Sequence, residues 1–276
     1  MLDARLERLS EHVAATNGFM NTVPRFGHAR EAYAAYRPGY PDFLFEKILA
    51  AIPEDRRERA VDLGAGTGKS TLPLCRWFRE VIAVESDPQM AAAIRELNEE
   101  IEIRIARAEE LEQAAESVDL VTSAIAFYWM DGPRVIENVT RWLRPGGVFA
   151  VYRYDIPTFP AGVQAIADRE MKEHWDVYRH ERLRDTDYSR RTLIASERFP
   201  DVEIERFSSV QRVTVSEMVG FLRSTSFGTA YMRTLADPDD YLIRLEEETR
   251  RAALVEPFEM HLTFELILAR KSETKI

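Results

Sequence analysis

The stretch that decides the fold runs from residue 60 to residue 70 and reads Ala60-Val61-Asp62-Leu63-Gly64-Ala65-Gly66-Thr67-Gly68-Lys69-Ser70. Its first four residues predict a short buried strand, and three glycines follow at once in the pattern G-x-G-x-G. Glycine lets the backbone turn tightly and pass close to a ligand where a side chain would interfere. We therefore expect a ligand-binding loop that leads from this strand into a helix over residues 70–78.

Two familiar glycine motifs fail to match this loop. A phosphate-binding P-loop would need its first glycine at Leu63, although Gly68-Lys69-Ser70 fits the end of that motif. A dinucleotide fingerprint counted from Gly64 would need its third glycine at Lys69. A glycine-rich turn that binds no ligand stays open as the plainer interpretation.

Strands and helices alternate on the carboxyl side of the loop. Apolar runs predict strands at residues 81–85, 102–105, 118–124 and 148–154, with helices at 87–98 and 133–143. This alternation favours a parallel sheet covered by helices on both faces, hence an α/β fold. After residue 160 the alternation stops. The remaining patterns predict helices at 2–15, 28–36, from 42, 163–178, 214–225 and 239–254, and strands at 202–213 and 261–269.

Composition excludes several classes of protein. The 276 residues carry a formal net charge of −10, which argues against non-specific binding of nucleic acid. The uncharged run at residues 120–130 is too short to span a bilayer, and the charged amino-terminal residues do not form a secretory signal. Cys75 is the one cysteine, so no intramolecular disulfide forms. We expect a cytoplasmic protein, monomeric or homodimeric, with neither a nucleic-acid nor a membrane partner.

The glycine loop and its surroundings resemble a known family. Residues 61–72 are similar to the first motif of class I S-adenosylmethionine-dependent methyltransferases. Glu85 lies 17 residues after Gly68, where that family has the acidic residue that holds the ribose hydroxyls. Residues 106–111 resemble the motif that lines the adenine, although many members carry an acidic residue in place of Arg107. With similar segments at residues 124–129 and 143–147, the resemblance spans residues 60–154.

This resemblance implies S-adenosyl-L-methionine as the cofactor and a Rossmann-like, doubly wound, seven-stranded, mostly parallel sheet with a helical cap. A narrower likeness adds detail: residues 33–41 and 219–226 are similar to segments of small-molecule methyltransferases that resemble trans-aconitate methyltransferase. We accordingly divide the chain into an amino-terminal helical cap (1–57), a cofactor-binding core (58–154), a helical insertion or lid (155–200), and carboxyl-terminal strands with a helical insertion (201–276).

The family motifs imply the residues of a cofactor site. The predicted cofactor-binding set is Tyr36, Arg37, Asp62, Gly64, Ala65, Gly66, Thr67, Gly68, Glu85, Ser86, Met90, Ala108, Glu109, Ser123, Ala124, Tyr128 and Trp129. Within it, Arg37 would pair with the methionine carboxylate, for which a guanidinium fork is well suited. Aromatic faces attract onium cations, so Tyr128 and Trp129 would lie near the sulfonium, whereas Phe127 is expected in the core.

A catalytic base is not evident from the sequence. The candidates are Tyr128, His28 and His174, and no pattern of residues suggests a metal site. A carboxylate acceptor would need no base, because it is ionised at neutral pH. The arginines around the insertion would suit such an acceptor: Arg153, Arg179, Arg182 and Arg184.

The resulting hypothesis is methyl transfer to an oxygen, nitrogen or carboxylate of a small molecule. Two alternatives stay open at this point. One is a cofactor-binding regulatory or partner subunit that has no acceptor chemistry of its own. The other is a nicotinamide oxidoreductase, which the residue Lys69 in the glycine loop disfavours.

Overall fold

The computed structural model describes residues 30–273. Its strands are Arg59–Leu63 (β1), Glu80–Glu85 (β2), Glu102–Ile105 (β3), Val118–Ala124 (β4), Leu143–Tyr154 (β5), Asp201–Val213 (β6) and Phe258–Arg270 (β7). Its α-helices are Arg30–Tyr36 (α1), Asp42–Ala50 (α2), Thr71–Leu74 (α3), Pro88–Leu97 (α4), Gly132–Trp142 (α5), Ala161–Arg169 (α6), Tyr188–Ala195 (α7), Val215–Arg223 (α8), Ser226–Met232 (α9) and Pro238–Ala252 (α10). The predicted helix at residues 2–15 and the candidate His28 lie outside the described residues.

The seven strands form one sheet in the order β3-β2-β1-β4-β5-β7-β6. Strands β1 to β5 pair in parallel, and β7 runs antiparallel to both of its neighbours, β5 and β6. The mostly parallel, doubly wound α/β sheet expected from the sequence is confirmed. In a sheet of this kind, ligands bind at the carboxyl ends of the parallel strands.

Both faces of the sheet are covered by apolar side chains. On one face, helices α2, α6 and α8 contribute Leu44, Val163 and Met218, each fully buried, to a common cluster. On the other face, α5 and α7 contribute Trp142 and Leu193. Neighbouring residues along the central strands belong alternately to the two clusters, as the period of a strand requires. The glycine loop after β1 and the insertion are thus both attached to one sheet.

Side-chain caps set the ends of several helices. Asp87 accepts hydrogen bonds from the backbone amides of Gln89 and Met90 and begins α4, as the sequence predicts. Thr214 and Glu217 form a capping box that begins α8. In α10 the ion pairs Glu246–Arg250 and Glu247–Arg251 each join residues four apart, at 3.5 and 3.7 Å.

The structure corrects two helix predictions. The helix expected at residues 70–78 is only Thr71–Leu74, because the hydrogen bonds that follow close tighter turns of three residues, such as Cys75 N to Leu72 O and Trp77 N to Leu74 O. The helix expected at 163–178 ends at Arg169. A π-helical turn, Glu170–His174, and a 3₁₀ turn, Asp176–Tyr178, follow it. Helix α9, Ser226–Met232, was not predicted.

Within residues 30–273, no helix is long and apolar enough to cross a membrane.

Candidate active site

A cavity of about 1000 Å³ opens at the carboxyl ends of the parallel strands. Its walls come from the loop after β1, the ends of β2 and β4, the segment 106–109, and β5, together with α1, the insertion and the α8–α9 corner. Binding sites for small ligands typically measure about 300–1,000 Å³, so this volume lies at the upper end of that range. It leaves room for two ligands side by side.

The loop after β1 forms one wall with its main chain. Gly64, Gly66 and Gly68 all adopt positive φ angles, which side chains disfavour. At Gly64 an added Cβ atom would lie 2.4 Å from the Cβ atom of Ala126, so the two segments meet without room for a side chain. The loop therefore presents bare backbone to the cavity at Gly64 and Gly66.

Asp62 anchors the glycine loop by hydrogen bonds. It is fully buried and accepts hydrogen bonds from the hydroxyls of Ser70 (2.6 Å), Thr71 (2.7 Å) and Thr122 (2.7 Å). Burial raises the pKa of the Asp62 carboxyl, and the three hydroxyls counteract this shift. Asp62 thus fixes the start of α3 and the end of β4 relative to β1 and does not line the cavity.

Glu85 ends β2 with its carboxylate at the cavity wall. One oxygen accepts from the amide of Gly66 at 2.9 Å and the other from the amide of Asp87 at 2.8 Å. Burial raises the pKa of Glu85, while these amides act in the opposite direction. The carboxylate is held in a fixed orientation, and each oxygen has further acceptor capacity for ligand hydroxyls.

The next wall is formed by residues 106–109. Glu109 is buried and accepts from the amide of Asp131 at 2.8 Å. Arg107, whose side chain is 60% exposed, pairs with Glu109 at 3.3 Å. This pairing directs Arg107 along the wall and leaves the backbone around Ala108 at the cavity.

Aromatic side chains close the middle of the cavity. Tyr33, Tyr128, Trp129 and Tyr154 all line it, and Tyr128 packs on Trp129 with 5.4 Å between ring centroids. Burial raises the pKa of Tyr33 to about 12 and raises the pKa of Tyr128 as well. Both phenols therefore stay protonated near neutral pH, so Tyr128 can donate a hydrogen bond but cannot serve as a base.

Arg37 lies between the rings of Tyr33 and Phe221, at 5.2 and 5.1 Å from their centroids. Its contacts with the Tyr154 hydroxyl (3.4 Å) and the Ser224 carbonyl (3.3 Å) are long. Its Nε atom is buried with no hydrogen-bond partner among residues 30–273. A cation held this way at a cavity wall fits an anionic ligand group.

Three further arginines line the cavity: Arg179 and Arg182 from the insertion, and Arg153 from the end of β5. Arg153 donates to Asp155 at 2.7 Å and to the Thr186 carbonyl at 2.7 Å. Arg182 donates to the Trp129 carbonyl at 2.6 Å and thereby ties the insertion to the end of β4. Within residues 30–273 the side chain of Arg179 makes one hydrogen bond, from Nη2 to the Leu183 carbonyl at 3.0 Å.

The structure divides the predicted cofactor-binding residues into two groups. Those that line the cavity are Arg37, Gly64, Gly66, Glu85, Ser86, Met90, Ala108, Glu109, Ala124, Tyr128 and Trp129. Those that lie behind its wall are Tyr36, Asp62, Ala65, Thr67, Gly68 and Ser123. Most of the second group support the first: Ser123, for example, is buried and donates to the Leu63 carbonyl.

Three predicted residues make their contacts away from the cavity. The ring of Tyr36 packs on Gly220, where an added Cβ atom would come within 2.3 Å of it, so Tyr36 attaches α1 to α8. His174 does not line the cavity: its Nδ1 atom lies 2.8 Å from Glu170, and its ring stacks on Tyr231. Arg184, the fourth arginine expected near the acceptor, pairs with Asp176 at 2.8 Å outside the cavity lining.

Sequence reasoning missed several lining residues, namely Tyr33, Tyr154, Phe221 and Phe227. Two of them lie in segments 33–41 and 219–226, whose likeness to small-molecule methyltransferases was the available signal. Their apolar spacing resembles that of ordinary core residues, so periodicity could not separate them. Within the described part of the chain, no group of three or more His, Cys, Asp or Glu side chains could hold a metal ion.

Comparison with known proteins identifies the domain. Residues 61–151 match the family described as "Methyltransferase domain". A "Probable S-adenosylmethionine-dependent methyltransferase" of Saccharomyces cerevisiae is 27% identical over 277 residues, which cover 87% of this chain and 95% of the yeast protein. An "Uncharacterized methyltransferase" of Mycobacterium tuberculosis is 39% identical over 122 residues, 44% of this chain and 49% of that protein.

Two more comparisons bear on the fold and the acceptor. The trans-aconitate 2-methyltransferase of Deinococcus radiodurans is 32% identical over 105 residues, 38% of this chain and 41% of that enzyme. The solved structure of a "Putative Type II Methyltransferase" from Anaeromyxobacter dehalogenans superposes with a TM-score of 0.68 at 27% identity. It covers 86% of this chain and 98% of that one.

Proposed function

By its fold and its domain family, this chain is a class I S-adenosylmethionine-dependent methyltransferase. We propose that it transfers the methyl group to the carboxylate of a small organic acid. The observation behind the proposal is the composition of the cavity wall. At its insertion end the wall carries Arg153, Arg179 and Arg182, and among residues 30–273 no histidine or lysine lines the cavity. The two acids at this end, Asp155 and Asp185, are already paired with Arg153 and Arg191, so the wall keeps positive charge for an anion and offers no imidazole or amine as a base.

The cofactor would occupy the end of the cavity formed by β1, β2 and β4. Glu85 would accept from the ribose hydroxyls, since its carboxylate is already oriented by two backbone amides. The bare backbone at Gly64 and Gly66 would lie along the methionine part, and the segment around Ala108 along the adenine. Arg37, with its unpaired Nε atom, fits the amino-acid carboxylate.

The proposed chemistry needs orientation more than acid or base catalysis. When bound, the cofactor supplies an electrophilic methyl group: a carboxylate oxygen bonds to its carbon, the carbon–sulfur bond breaks with its electron pair on sulfur, and a methyl ester forms. A carboxylic acid is ionised at neutral pH, so no proton has to be removed. The chain's contribution is to orient the acceptor carboxylate and to exclude water beneath α1 and the insertion.

Two further facts support a carboxylate. Tyr128, the candidate catalytic residue in the cavity, has a pKa raised by burial, so it stays a hydrogen-bond donor and suits an acceptor that needs no base. The similar enzyme of Deinococcus radiodurans is named for trans-aconitate, which is a carboxylic acid. The cytoplasmic location and the monomeric or homodimeric state stay predictions from the sequence.

The test uses the purified full chain with S-adenosylmethionine labelled in its methyl group. We expect label to enter carboxylic acids as methyl esters, which release labelled methanol in alkali, and not amines or phenols of matched size. Calorimetry with S-adenosylhomocysteine serves as the control that the cofactor site is intact. Label transferred to amines or phenols would refute the carboxylate proposal. Cofactor binding without transfer to any acceptor class would favour a regulatory subunit.

A further inference from the structure

Among the arginines of the cavity, Arg107 and Arg153 form ion pairs with carboxylates, whereas Arg37, Arg179 and Arg182 form none among residues 30–273. Arg153 is paired with Asp155, and Asp155 also accepts from Arg206 at 2.6 Å. The other acid at this end, Asp185, is paired with Arg191 at 2.7 Å. No carboxylate within residues 30–273 forms an ion pair with Arg179, and its Nε atom is buried with no hydrogen-bond partner among them.

Backbone and aromatic contacts fix the position of Arg179 and leave N–H groups of its guanidinium free to donate. Its amide donates to the Asp176 carbonyl, and Arg184 donates to the same carbonyl and pairs with the Asp176 carboxylate. Its guanidinium packs over the ring of Phe227, 5.8 Å from the ring centroid. An arginine held by its backbone and by an aromatic face, with free N–H groups at a cavity, is arranged to bind a carboxylate by two parallel hydrogen bonds.

Two apolar residues contact Arg179 directly: its guanidinium packs over Phe227 and donates to the carbonyl of Leu183. Phe221 and Ile156 line the same cavity. Arg182 adds a charge there, but its residue is exposed and its Nη1 atom is bound to main-chain carbonyls of residues 128–130. Exposed ion pairs contribute about 0–1 kcal/mol, so a second carboxylate near Arg182 would add little to binding.

We propose that Arg179 is the residue that binds the acceptor carboxylate, and that the acceptor is a monocarboxylic acid with an apolar body lying against Phe221, Phe227 and Leu183. This inference rests on the proposed function and narrows it to one acid group and one anchoring residue. Arg37 would be occupied by the carboxylate of the cofactor, and Arg153 is paired with Asp155, so the second charge of a polycarboxylic acid would meet only the exposed Arg182, which adds little to binding.

The experiment compares acceptors and variants of the full chain in the labelled-methyl assay. The acceptors are hexanoate, benzoate and cinnamate, the dicarboxylate succinate, the tricarboxylate citrate, and the uncharged hexanamide and benzamide. The variants are Arg179→Gln and Arg179→Lys. Arg190→Gln is the matched control, because Arg190 lies in the same insertion, is paired with Asp187 at the surface and does not line the cavity.

The wild-type chain should methylate the apolar monocarboxylates with the highest kcat/KM of the panel. Arg179→Gln should raise the KM for the best of them by about 10- to 100-fold, the effect of losing hydrogen bonds to a charged group. Arg179→Lys should restore part of the loss, since it keeps the charge without the fork. The dissociation constant of S-adenosylhomocysteine, measured by calorimetry, should be unchanged, which separates loss of an anchor from loss of the fold.

Three results would overturn the inference, and they are distinguishable. If amines or phenols are methylated and acids are not, the proposed function itself fails. If acids are methylated equally well by the wild type and Arg179→Gln, the function stands and Arg179 is not the anchor. If succinate or citrate is the best acceptor, the function stands and the apolar monocarboxylic class is wrong.

Discussion

Around the glycine loop the cavity wall is main chain, and its shape is set by glycines with positive φ angles and by the buried carboxylate of Asp62. At the insertion end the wall is made of long side chains, arginines and aromatics, carried by short turns such as Glu181–Leu183 and by the α8–α9 corner. One end is thus formed by backbone, which at Gly64 leaves no room for a side chain. The other end depends on side-chain identity, which can change without altering the sheet.

This difference explains how one fold can keep a single cofactor and vary its acceptor. Contacts made by backbone persist under substitution of neighbouring side chains, whereas contacts made by side chains on irregular segments change with each substitution. We therefore expect mutations at the cofactor end to affect binding and stability together. Mutations at the acceptor end should affect specificity alone.

The largest effect is expected at Gly64. Gly64→Val adds a side chain at a φ of 71°, where the new Cβ atom alone would lie 2.4 Å from the Cβ atom of Ala126. Steric strain in the left-handed region and overpacking together should lower the free energy of unfolding by about 2–5 kcal/mol. Urea unfolding measures it, and Gly39→Val is the control because no atom lies within 4 Å of an added Cβ there. An equal loss of unfolding free energy in both variants would contradict a cavity wall whose shape is set by the backbone at Gly64.

The next effect is expected at Glu85. Glu85→Ala should weaken binding of S-adenosylhomocysteine by about 1.5–3 kcal/mol, because hydrogen bonds to an ionised carboxylate are lost. Calorimetry gives the value. Glu80→Ala, at the start of the same strand and exposed to solvent, is the matched control. An unchanged affinity in Glu85→Ala would mean that this carboxylate only ends β2.

A smaller effect is expected at Asp155, at the acceptor end. Asp155→Asn leaves Arg153 and Arg206 without their shared partner, but these side chains are partly exposed, so the free energy of unfolding should fall by only about 1 kcal/mol or less. The unpaired Arg153 should raise the relative kcat/KM for succinate over benzoate. Asp240→Asn, which breaks the Arg244 pair on α10, is the control and should leave that ratio unchanged.

The pH dependence of cofactor binding should be modest and assignable to Glu85. Burial raises the pKa of Glu85, so its carboxyl takes up a proton at a higher pH than an exposed glutamate does, which is about pH 4.3. A protonated carboxyl accepts hydrogen bonds poorly, so affinity for S-adenosylhomocysteine should fall as pH falls through this range. Calorimetry across the acid range should show the decline in the wild type and a flatter profile in Glu85→Gln.

The smallest effect concerns the insertion, which we propose acts as a lid. S-adenosylhomocysteine should slow tryptic cleavage after Arg179 and Arg182, because Arg182 is bonded to main-chain carbonyls beside the cofactor end of the cavity. Cleavage after Arg251 on α10, where the side chain is 75% exposed, is the internal control and should keep its rate. Equal rates with and without the ligand at Arg182 would contradict a coupled lid.

The sequence predicted the cofactor end of the molecule far better than the acceptor end. The alternating apolar runs located β1 to β5, and the family resemblance of the segment from the glycine loop to the end of β2 pointed to Glu85, because both signals are local. Helix α9 was missed because Ser226–Met232 is short and contains Gly228. The environment of Arg179 depends on Phe227, 48 residues away in the chain, and no local pattern records such a contact.

The placement of β7 has a consequence for how the chain folds. This strand is the last of the seven in chain order, yet it lies inside the sheet and pairs with β5 on one side and β6 on the other. Until residues 258–270 have left the ribosome, β6 has no neighbour and β5 has an open edge. Unpaired edges of this kind invite pairing with other chains. During synthesis β1 to β5 can assemble early, while β6 has to await β7, so aggregation is most to be expected in that interval.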